Sequence, residues 1–405
     1  MRPDILTRLL SFDEAKRLLL ESARTMSRVE RVPLLDAAGR VGAEEVASQV
    51  DVPPFDRAAM DGYAVRAADT VAASPALPIH LHQMGAAFTG DAPAGHIVTG
   101  QCVAVATGAP MPAGADAVIM VEATTTSARG IGISNAVTRG QNVGARGSDL
   151  AIGDAVTRRG DVMTPGRIGA LAAIGTTTVS VFDRPRVAIA STGNELQLPG
   201  TPLGPGQIYN VNRFTIDAVT RRHGGRPEHM PTVPDTLDAL ASTIERARSH
   251  DVIVFSGGSS VGDRDLLVDA VSEYGRVIFH GIAVRPGKPT LLGQVGETLV
   301  LGLSGYPTSC LSNAYLLLVP LLRQMGRLPP WRPETLTLPL ARRIVSPAGR
   351  HQFYTVRIAD GAVEPAFKTS GSITSMAHAD GYIEIPASVD TVEAGALVTV
   401  TIWGE

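Results

Sequence analysis

Apolar and polar positions follow a helical period at two places in the first half of the chain. Ser11 and Glu14 form a capping-box pattern in front of AKRLLLESA, which predicts a helix over about residues 12–25. Thr164 and Pro165 place an N-cap and a first-turn proline before RIGALAAIG, which predicts a second, short helix.

The rest of the chain shows three further patterns. Short apolar runs broken by proline and glycine over residues 32–156 predict a β-rich region. After residue 184, apolar strands alternate with helices, which predicts a three-layer α/β domain with a largely parallel sheet. From residue 334 onward, period-2 stretches such as HQFYTVRI, GYIEIPA and ALVTVTIW predict a small β-barrel or sandwich. The α/β elements expected are VAIAST, DVIVFSGG, RDLLVDAVSEYG, TLVLGLSG and helices near 214–222, 235–249 and 308–324.

The composition is that of a globular, multidomain protein of 405 residues, with 44% hydrophobic and 19% charged positions. A formal net charge of −3 without any basic run argues against a nucleic-acid-coating protein. The charged N-terminus has no apolar span long enough for export or membrane insertion. Cys102 and Cys310 cannot form a disulfide framework, so we expect a reducing, cytoplasmic setting.

Three glycine-rich loops follow predicted strands of the α/β domain, over residues 187–196, 252–265 and 302–310. One such loop alone is usually a tight connection. Strand ends in an α/β sheet, however, collect free backbone N–H groups and helix dipoles that favour anions. Three loops at one sheet edge therefore predict an anion-binding site.

Charged side chains on these loops are open to two interpretations. Glu195 and Asp265 are each placed to cap or start a helix, which is the simpler interpretation for an isolated acid. Beside a phosphate-sized anion, the two acids would instead require a hard cation such as Mg²⁺ between them. Arg285 and Lys288, on the AVRPGKP loop, form either a solvated turn or a rigid anion holder.

Acidic residues beside glycines also mark the β-rich region, at Asp61, Asp116 and Asp149. Asp-Gly and Gly-x-Asp are ordinary turn sequences, and physical chemistry alone favours a turn for two of the three.

Eight motifs stand in a fixed order along the chain. They are FDRAAMDGYAV, TGAPMPAGADAV, RGSDL, STGNEL, QIYNVNR, SGGSSVGDRD, RPGKPT and SGYPTS. In this order and approximate spacing they resemble the MoeA family of molybdopterin molybdenumtransferases, which includes the E domain of gephyrin. The resemblance covers about residues 10–400 and is weakest in the C-terminal segment.

The resemblance implies a four-domain subunit that forms a homodimer, with a cleft shared between the α/β domain of one subunit and the inserted β domain of the other. The implied domains are a discontinuous N-terminal domain (1–27, 44–54 and 151–183), an inserted β-rich domain (28–43 and 55–150), an α/β molybdopterin-binding domain similar to the MoaB and Mog adenylyltransferases (184–333), and a C-terminal β-barrel (334–405).

The resemblance also implies the reaction, a Mg²⁺-dependent insertion of molybdate into adenylated molybdopterin with release of AMP. By motif, the catalytic residues would be Asp61, Glu195, Asp265 and Lys288, with Glu195 and Asp265 binding Mg²⁺. The implied substrate-binding residues are Thr107, Asp149, Asp235, Gly257, Gly258, Ser260, Arg285, Pro286, Ser309, Arg350 and Ser372. The implied partners are a molybdopterin adenylyltransferase and acceptor molybdoenzymes, each in transient contact. The resemblance implies binding to neither a nucleic acid nor a membrane.

The sequence departs from the family pattern at four positions. Gly144 stands where many members have an arginine, Gly281 where some have a lysine, and Thr355 where an arginine often stands. Ser304 replaces a proline. The basic residues that could take over are Arg146, His280, Arg285 and Arg350. Preference for molybdate or tungstate stays open.

Two other functions fit parts of the pattern. The α/β domain by itself would suit a molybdopterin adenylyltransferase that uses ATP, but stand-alone adenylyltransferases lack the β insertion and the barrel. A non-enzymatic scaffold, like the gephyrin E domain at synapses, would not need the intact acidic positions found here.

Overall fold

The structure is a computed structural model that describes residues 9–258, 265–346 and 349–403. Its contacts divide the chain into two compact units, one over residues 31–181 and the other over residues 1–30 with 182–405. The helices are α1 (Phe12–Ser22), α2 (Pro165–Ala173), α3 (Asn212–Arg222), α4 (Leu237–Arg246), α5 (Leu266–Tyr274), α6 (Pro307–Asn313), α7 (Val319–Met325) and α8 (Thr374–Ala377).

Both predicted N-terminal capping signals are confirmed. Ser11 Oγ accepts a hydrogen bond from the Glu14 N–H at 3.2 Å, and Thr164 Oγ1 accepts one from the Arg167 N–H at 3.3 Å. These bonds fix the start of α1 and α2. Helix α1 ends at Ser22, before the predicted residue 25.

The 31–181 unit is β-rich, as predicted. Its six-stranded sheet has the order β7-β4-β6-β5-β9-β8 and is antiparallel except between β5 and β6. Cys102 and Val103 of β6 enter different apolar cores, because successive side chains of a strand point to opposite faces. The strands of this part of the chain are β1 (Val29–Pro33), β2 (Val46–Ala47), β3 (Arg57–Ala58), β4 (Gly62–Val65), β5 (Ile79–Ala87), β6 (Gln101–Val105), β7 (Ala117–Met120), β8 (Thr124–Ser127), β9 (Gly130–Ile133), β10 (Val143–Gly144), β11 (Ala155–Thr157) and β12 (Thr178–Phe182).

The other unit contains the predicted three-layer α/β fold and a C-terminal sheet. Its remaining strands are β13 (Arg186–Ser191), β14 (Leu196–Gln197), β15 (Ile208–Tyr209), β16 (Arg226–His229), β17 (Val252–Ser256), β18 (Arg276–His280), β19 (Val284–Arg285), β20 (Leu291–Val295), β21 (Thr298–Leu303), β22 (Thr335–Pro339), β23 (Ile344–Val345), β24 (His351–Ala359), β25 (Ala362–Pro365), β26 (Gly381–Ile385), β27 (Thr391–Val392) and β28 (Leu397–Ile402).

The α/β sheet has the order β16-β13-β17-β21-β20-β18, and its first four strands are parallel. Val187 and Ala188 of β13 enter the two cores on opposite faces of this sheet. Ala15 and Leu19 of α1 belong to the first of these cores, so the N-terminal helix packs on the α/β fold. The four-domain division made from the sequence stays a prediction.

The long helix predicted over 308–324 is interrupted. A π-helical segment, Ala314–Leu318, separates α6 from α7, and the Val319 N–H donates to the Ala314 carbonyl five residues earlier. Pro320 follows immediately and has no N–H to donate, so a regular helix would lose a hydrogen bond there.

The C-terminal segment forms the predicted period-2 strands, in the order β19-β24-β26-β28-β22 with β25 paired to β24. Strand β19 comes from the α/β part of the chain, and its Arg285 pairs in parallel register with Gln352 of β24. The loop that follows β19 is therefore anchored to the C-terminal sheet. In the described part of the chain, no helix has the length and apolar character needed to cross a membrane.

Candidate active site

A cavity of about 1030 Å³ opens at the carboxyl ends of three adjacent parallel strands. The strands β13, β17 and β21 end in register, with Ser191 beside Ser256 and Ser256 beside Leu303. The next residues, Thr192, Gly257 and Ser304, line the cavity. The three glycine-rich loops thus meet at one sheet edge, as predicted.

The cavity collects nine of the residues implied by the motifs. These are Glu195, Asp235, Gly257, Gly258, Arg285, Pro286, Lys288, Ser309 and Arg350. Asp265 and Ser372 belong to the same unit but do not line the cavity. Ser260 lies outside the described residues. Asp61, Thr107 and Asp149 belong to the 31–181 unit.

Two carboxylates form the acidic part of the cavity wall. Glu195 follows β13, and its side chain folds back over Gly193, where an added Cβ would meet its Oε1 at 2.6 Å. Partial burial and then the negative charge of Glu195 raise the pKa of Asp235 above its ordinary value, while the Thr192 side chain lowers it. The carboxylate that interacts with Glu195 in this cavity is therefore Asp235.

Replacing Glu195 by glutamine is expected to lower the pKa of Asp235, because the change removes a negative charge that opposes ionisation. Asp235 would then be ionised at lower pH than in the unaltered protein. Carboxyl-detected NMR titration measures this shift, and Glu228→Gln, outside the cavity lining, serves as the control. An unchanged Asp235 pKa in Glu195→Gln would contradict the coupling.

Asp265 occupies a different environment. Its Oδ1 accepts from the N–H groups of Leu267 and Val268 at 3.2 and 3.3 Å, so it caps α5. Its Oδ2 lies 3.0 Å from His280 Nε2, and the two side chains are only 6% and 3% exposed. The Asp265 and His280 atoms lie within ion-pair distance, but their geometry is not that of a hydrogen bond. The helix-capping interpretation of Asp265 is thus confirmed, and its predicted role as a Mg²⁺ ligand stays a prediction.

The loop that carries Lys288 is held from two sides. Arg285 is fixed by strand pairing, as described above. On the other side, the fully buried Asn313 donates through Nδ2 to the Gly287 carbonyl at 3.0 Å and to Thr290 Oγ1 at 2.7 Å. Gly287 has φ +101°, and an added Cβ would clash with the Asn313 side chain. Packing therefore pre-organises this loop before any anion binds.

Gly257 and Gly258 turn the chain sharply after β17. Both have left-handed backbone conformations, with φ +91° and +70°. An added Cβ on Gly257 would lie 2.8 Å from the Thr192 carbonyl oxygen. Only glycine fits this close approach of two cavity loops.

In the 31–181 unit, Asp61 and Thr107 are brought together. Asp61 Oδ1 accepts from the backbone N–H and the hydroxyl of Thr107 at 2.6 and 2.9 Å, and these bonds lower the pKa of Asp61. Asp149 is exposed, and its N–H donates to the Val52 carbonyl at 3.0 Å. None of these bonds joins Asp149 to the Asp61–Thr107 pair.

The candidate replacement cations differ in what they contact. Arg146 Nε lies 2.6 Å from Asp51 Oδ2, and His280 faces Asp265. Arg285 and Arg350, by contrast, line the cavity. Of the four candidates, these two are therefore placed to meet a ligand there.

The departures from the family pattern also have local structural settings. Gly281 adopts φ +88°, which disfavours any other residue, and Thr355 is fully buried within β24. Ser304 accepts the Tyr306 N–H through its hydroxyl at 3.3 Å.

Sequence reasoning missed several residues of the cavity wall. Lys368 and Phe367 come from the C-terminal segment, and Tyr306 exposes most of its side chain next to α6. Asn212 donates through Nδ2 to the Gly305 carbonyl at 2.8 Å and so fixes the neighbouring loop. The QIYNVNR motif contained the signal for Asn212, whereas no motif pointed to Lys368.

Three family descriptions match successive parts of the chain. They are the MoeA N-terminal region (domain I and II) over residues 10–175, "Probable molybdopterin binding domain" over residues 188–324, and the MoeA C-terminal region (domain IV) over residues 337–403. The chain belongs to the MoeA family.

Individual MoeA relatives match along their whole length. Molybdopterin molybdenumtransferase 2 of Mycobacterium tuberculosis is 35% identical over 97% of this chain and 99% of that protein. Molybdopterin molybdenumtransferase of Haemophilus influenzae is 31% identical over 97% and 98%. The crystal structure of a molybdopterin biosynthesis MoeA protein from Pyrococcus horikosii superposes with a TM-score of 0.84 at 37% identity, covering 98% of this chain and 100% of that one.

These MoeA matches confirm the family and the fold class expected from the motifs. They also confirm that the chain is an enzyme of molybdenum cofactor biosynthesis. The middle match covers the strand ends and the three loops at the sheet edge, whereas Arg350 and Lys368 lie in the C-terminal match. Most of the candidate site therefore lies in the part similar to molybdopterin-binding domains.

Proposed function

We propose that this enzyme inserts molybdate into adenylated molybdopterin with release of AMP, and that the cavity at the ends of β13, β17 and β21 binds the phosphates and the oxyanion. The observation that carries the proposal is the charge pattern of the cavity wall. Arg285, Lys288 and Arg350 line the same cavity as the Glu195–Asp235 pair and give it positive charge. A nucleotide-like polyanion and a divalent cation need this combination.

Mg²⁺ fits the acidic part of the wall. Magnesium commonly binds proteins through one or two carboxylates and completes its coordination with water and substrate phosphates. Among the described residues no cluster of three or more His, Cys, Asp or Glu side chains could hold a metal alone. Glu195 and Asp235 would therefore hold the ion together with substrate oxygens, where it would neutralise charge on the phosphates.

The chain's own residues act on the phosphoanhydride by position and charge. Lys288, on its pre-organised loop, would stabilise negative charge that develops as AMP leaves. The tight turn at Gly257 and Gly258 lets substrate approach the backbone closely, because no side chain intervenes. Ser309, nearly buried at the start of α6, offers a hydroxyl for an anionic oxygen.

We further propose that the enzyme is a cytoplasmic homodimer, in which each cleft takes Lys288 from one chain and Asp61 from the other. The family pattern supports this arrangement. The bonded Asp61–Thr107 pair presents an exposed carboxylate with a lowered pKa, so Asp61 is ionised at neutral pH. A molybdopterin adenylyltransferase would supply the adenylated substrate, and molybdoenzymes would accept the product.

The purified protein is expected to release AMP and form a metal-loaded pterin when given adenylated molybdopterin, molybdate and Mg²⁺. Chromatography of AMP and molybdenum analysis of the pterin fraction measure both products. Tungstate in place of molybdate tests the oxyanion preference. Formation of adenylated molybdopterin from ATP and molybdopterin, without metal insertion, would favour the adenylyltransferase instead.

A further inference from the structure

Lysine is rare in this protein. Of the 36 lysine and arginine residues, only Lys16, Lys288 and Lys368 are lysines. Two of these three lysines line the cavity, whereas Arg285 and Arg350 are the arginines found in the described lining. Most basic residues of the chain are arginines, yet two of its three ammonium groups lie in one cavity.

Lys368 reaches the cavity from the C-terminal segment, after β25. Its backbone N–H donates to Ser375 Oγ at 3.0 Å, which fixes the loop. Its Nζ donates to Thr374 Oγ1 at 3.1 Å. Among the described residues, this neutral hydroxyl is the hydrogen-bond partner of the ammonium, and no ion pair with a carboxylate forms. The charge is exposed, and the ammonium has further N–H groups free to donate.

An ammonium group differs from a guanidinium group in the ligand it suits. Lysine offers a compact point charge with three rotatable donors, whereas arginine offers a rigid planar fork. A small tetrahedral oxyanion or a single phosphate oxygen can accept from an ammonium in any direction. Lys288 stands on a loop fixed by Asn313, and Lys368 lines the same cavity from the C-terminal segment, so the two ammonium groups together would form a positively charged site.

We propose that Lys368 is a further oxyanion-binding residue of this cavity, acting with Lys288 on either molybdate or the phosphate of the adenylated pterin. The identity of the anion rests on the proposed function, but binding of an oxyanion does not.

The scarcity of lysine makes a direct test possible. The protein is treated briefly with an amine-reactive ester, with or without molybdate, AMP or inorganic phosphate, and labelling at each lysine is followed by peptide mass spectrometry. Labelling of Lys288 and Lys368 is expected to slow when the anion is present. Lys16, on α1 and outside the cavity, serves as the internal control.

Two variants separate charge from local structure. Lys368→Gln keeps a donor for the Thr374 hydroxyl but removes the charge, and Lys368→Ala removes both. In both variants, the anion concentration that half-protects Lys288 is expected to rise about tenfold or more, since hydrogen bonds to charged groups are the strong ones. Lys16→Gln should leave that concentration unchanged.

The outcomes distinguish this inference from the proposed function. Protection of Lys368 by molybdate assigns the oxyanion, and protection by AMP or phosphate assigns the substrate phosphate. If an anion protects Lys368 but the enzyme inserts no metal, the proposed function is wrong and the oxyanion-binding role of Lys368 still stands. Equal labelling of Lys368 with and without all three anions, or unaltered protection of Lys288 in Lys368→Gln, would overturn the inference even if the enzyme turns over.

Discussion

Substituting Lys288 by alanine is expected to lower the rate of AMP release by about 10²- to 10³-fold, the usual cost of removing a group that stabilises developing charge. Lys288 is half-buried and lines the cavity on a loop that Asn313 holds in place. The free energy of unfolding should change by less than about 0.5 kcal/mol, because Lys288 forms no ion pair with the residues that the structure describes. Single-turnover AMP release and urea unfolding measure the two effects.

The matched control is Lys16→Ala, which removes a lysine outside the cavity and should leave turnover unchanged. Turnover of Lys288→Ala within a few-fold of the unaltered enzyme would exclude the proposed role.

Mixing Lys288→Ala with Asp61→Ala tests whether the cleft is shared between subunits. If each cleft takes one residue from each chain, some mixed dimers contain one intact cleft and activity returns. If the subunits exchange and activity does not return, the proposal of a cleft shared between subunits is wrong.

Asp265→Ala is expected to destabilise the fold, because it removes the N-cap of α5. Loss of an N-cap costs about 1 kcal/mol, so a fall of roughly 1 kcal/mol in the free energy of unfolding should follow. Urea denaturation measures this fall.

Asp265→Asn is the informative companion, because asparagine caps helices as well as aspartate does. It should restore most of the stability lost in Asp265→Ala. If Asp265 also binds Mg²⁺, as the motif implies, Asp265→Asn will be stable yet need much more Mg²⁺ for turnover. Equal urea midpoints for Asp265→Ala and the unaltered protein would contradict the structural role.

The sequence predicts the cavity because strand ends, glycines and loop order are local signals. Parallel strands place their carboxyl ends together, so VAIAST, DVIVFSGG and TLVLGLSG suffice to bring three loops to one edge. The caps at Ser11 and Thr164 were predictable for the same reason, since the side chain and its N–H lie within one turn.

The partners within the cavity were not predictable in this way. Glu195 and Asp265 both follow strands, and the sequence does not tell which carboxylate faces the ligand and which caps a helix. The contact between Asn313 and Gly287 joins residues 26 apart, and Lys368 lies on the loop that follows β25, far along the chain from the strands of the cavity. Such pairings depend on tertiary packing. They join residues far apart in the chain, and no local pattern in the sequence indicates them.

The interrupted helix near the end of the α/β fold links two features of the amino-acid sequence, the number of residues in the π turn and the proline that follows it. Because the π turn over Ala314–Leu318 contains one residue more than a regular turn, it accommodates Pro320 without a clash. Deleting one residue of the turn would restore the regular helix and press the proline ring against the carbonyl four residues before it. Exchanging only the proline would let the helix straighten with a residue in excess, rotating buried Leu321, Leu322 and Met325 by about 100°. Length and proline in this segment must therefore evolve together.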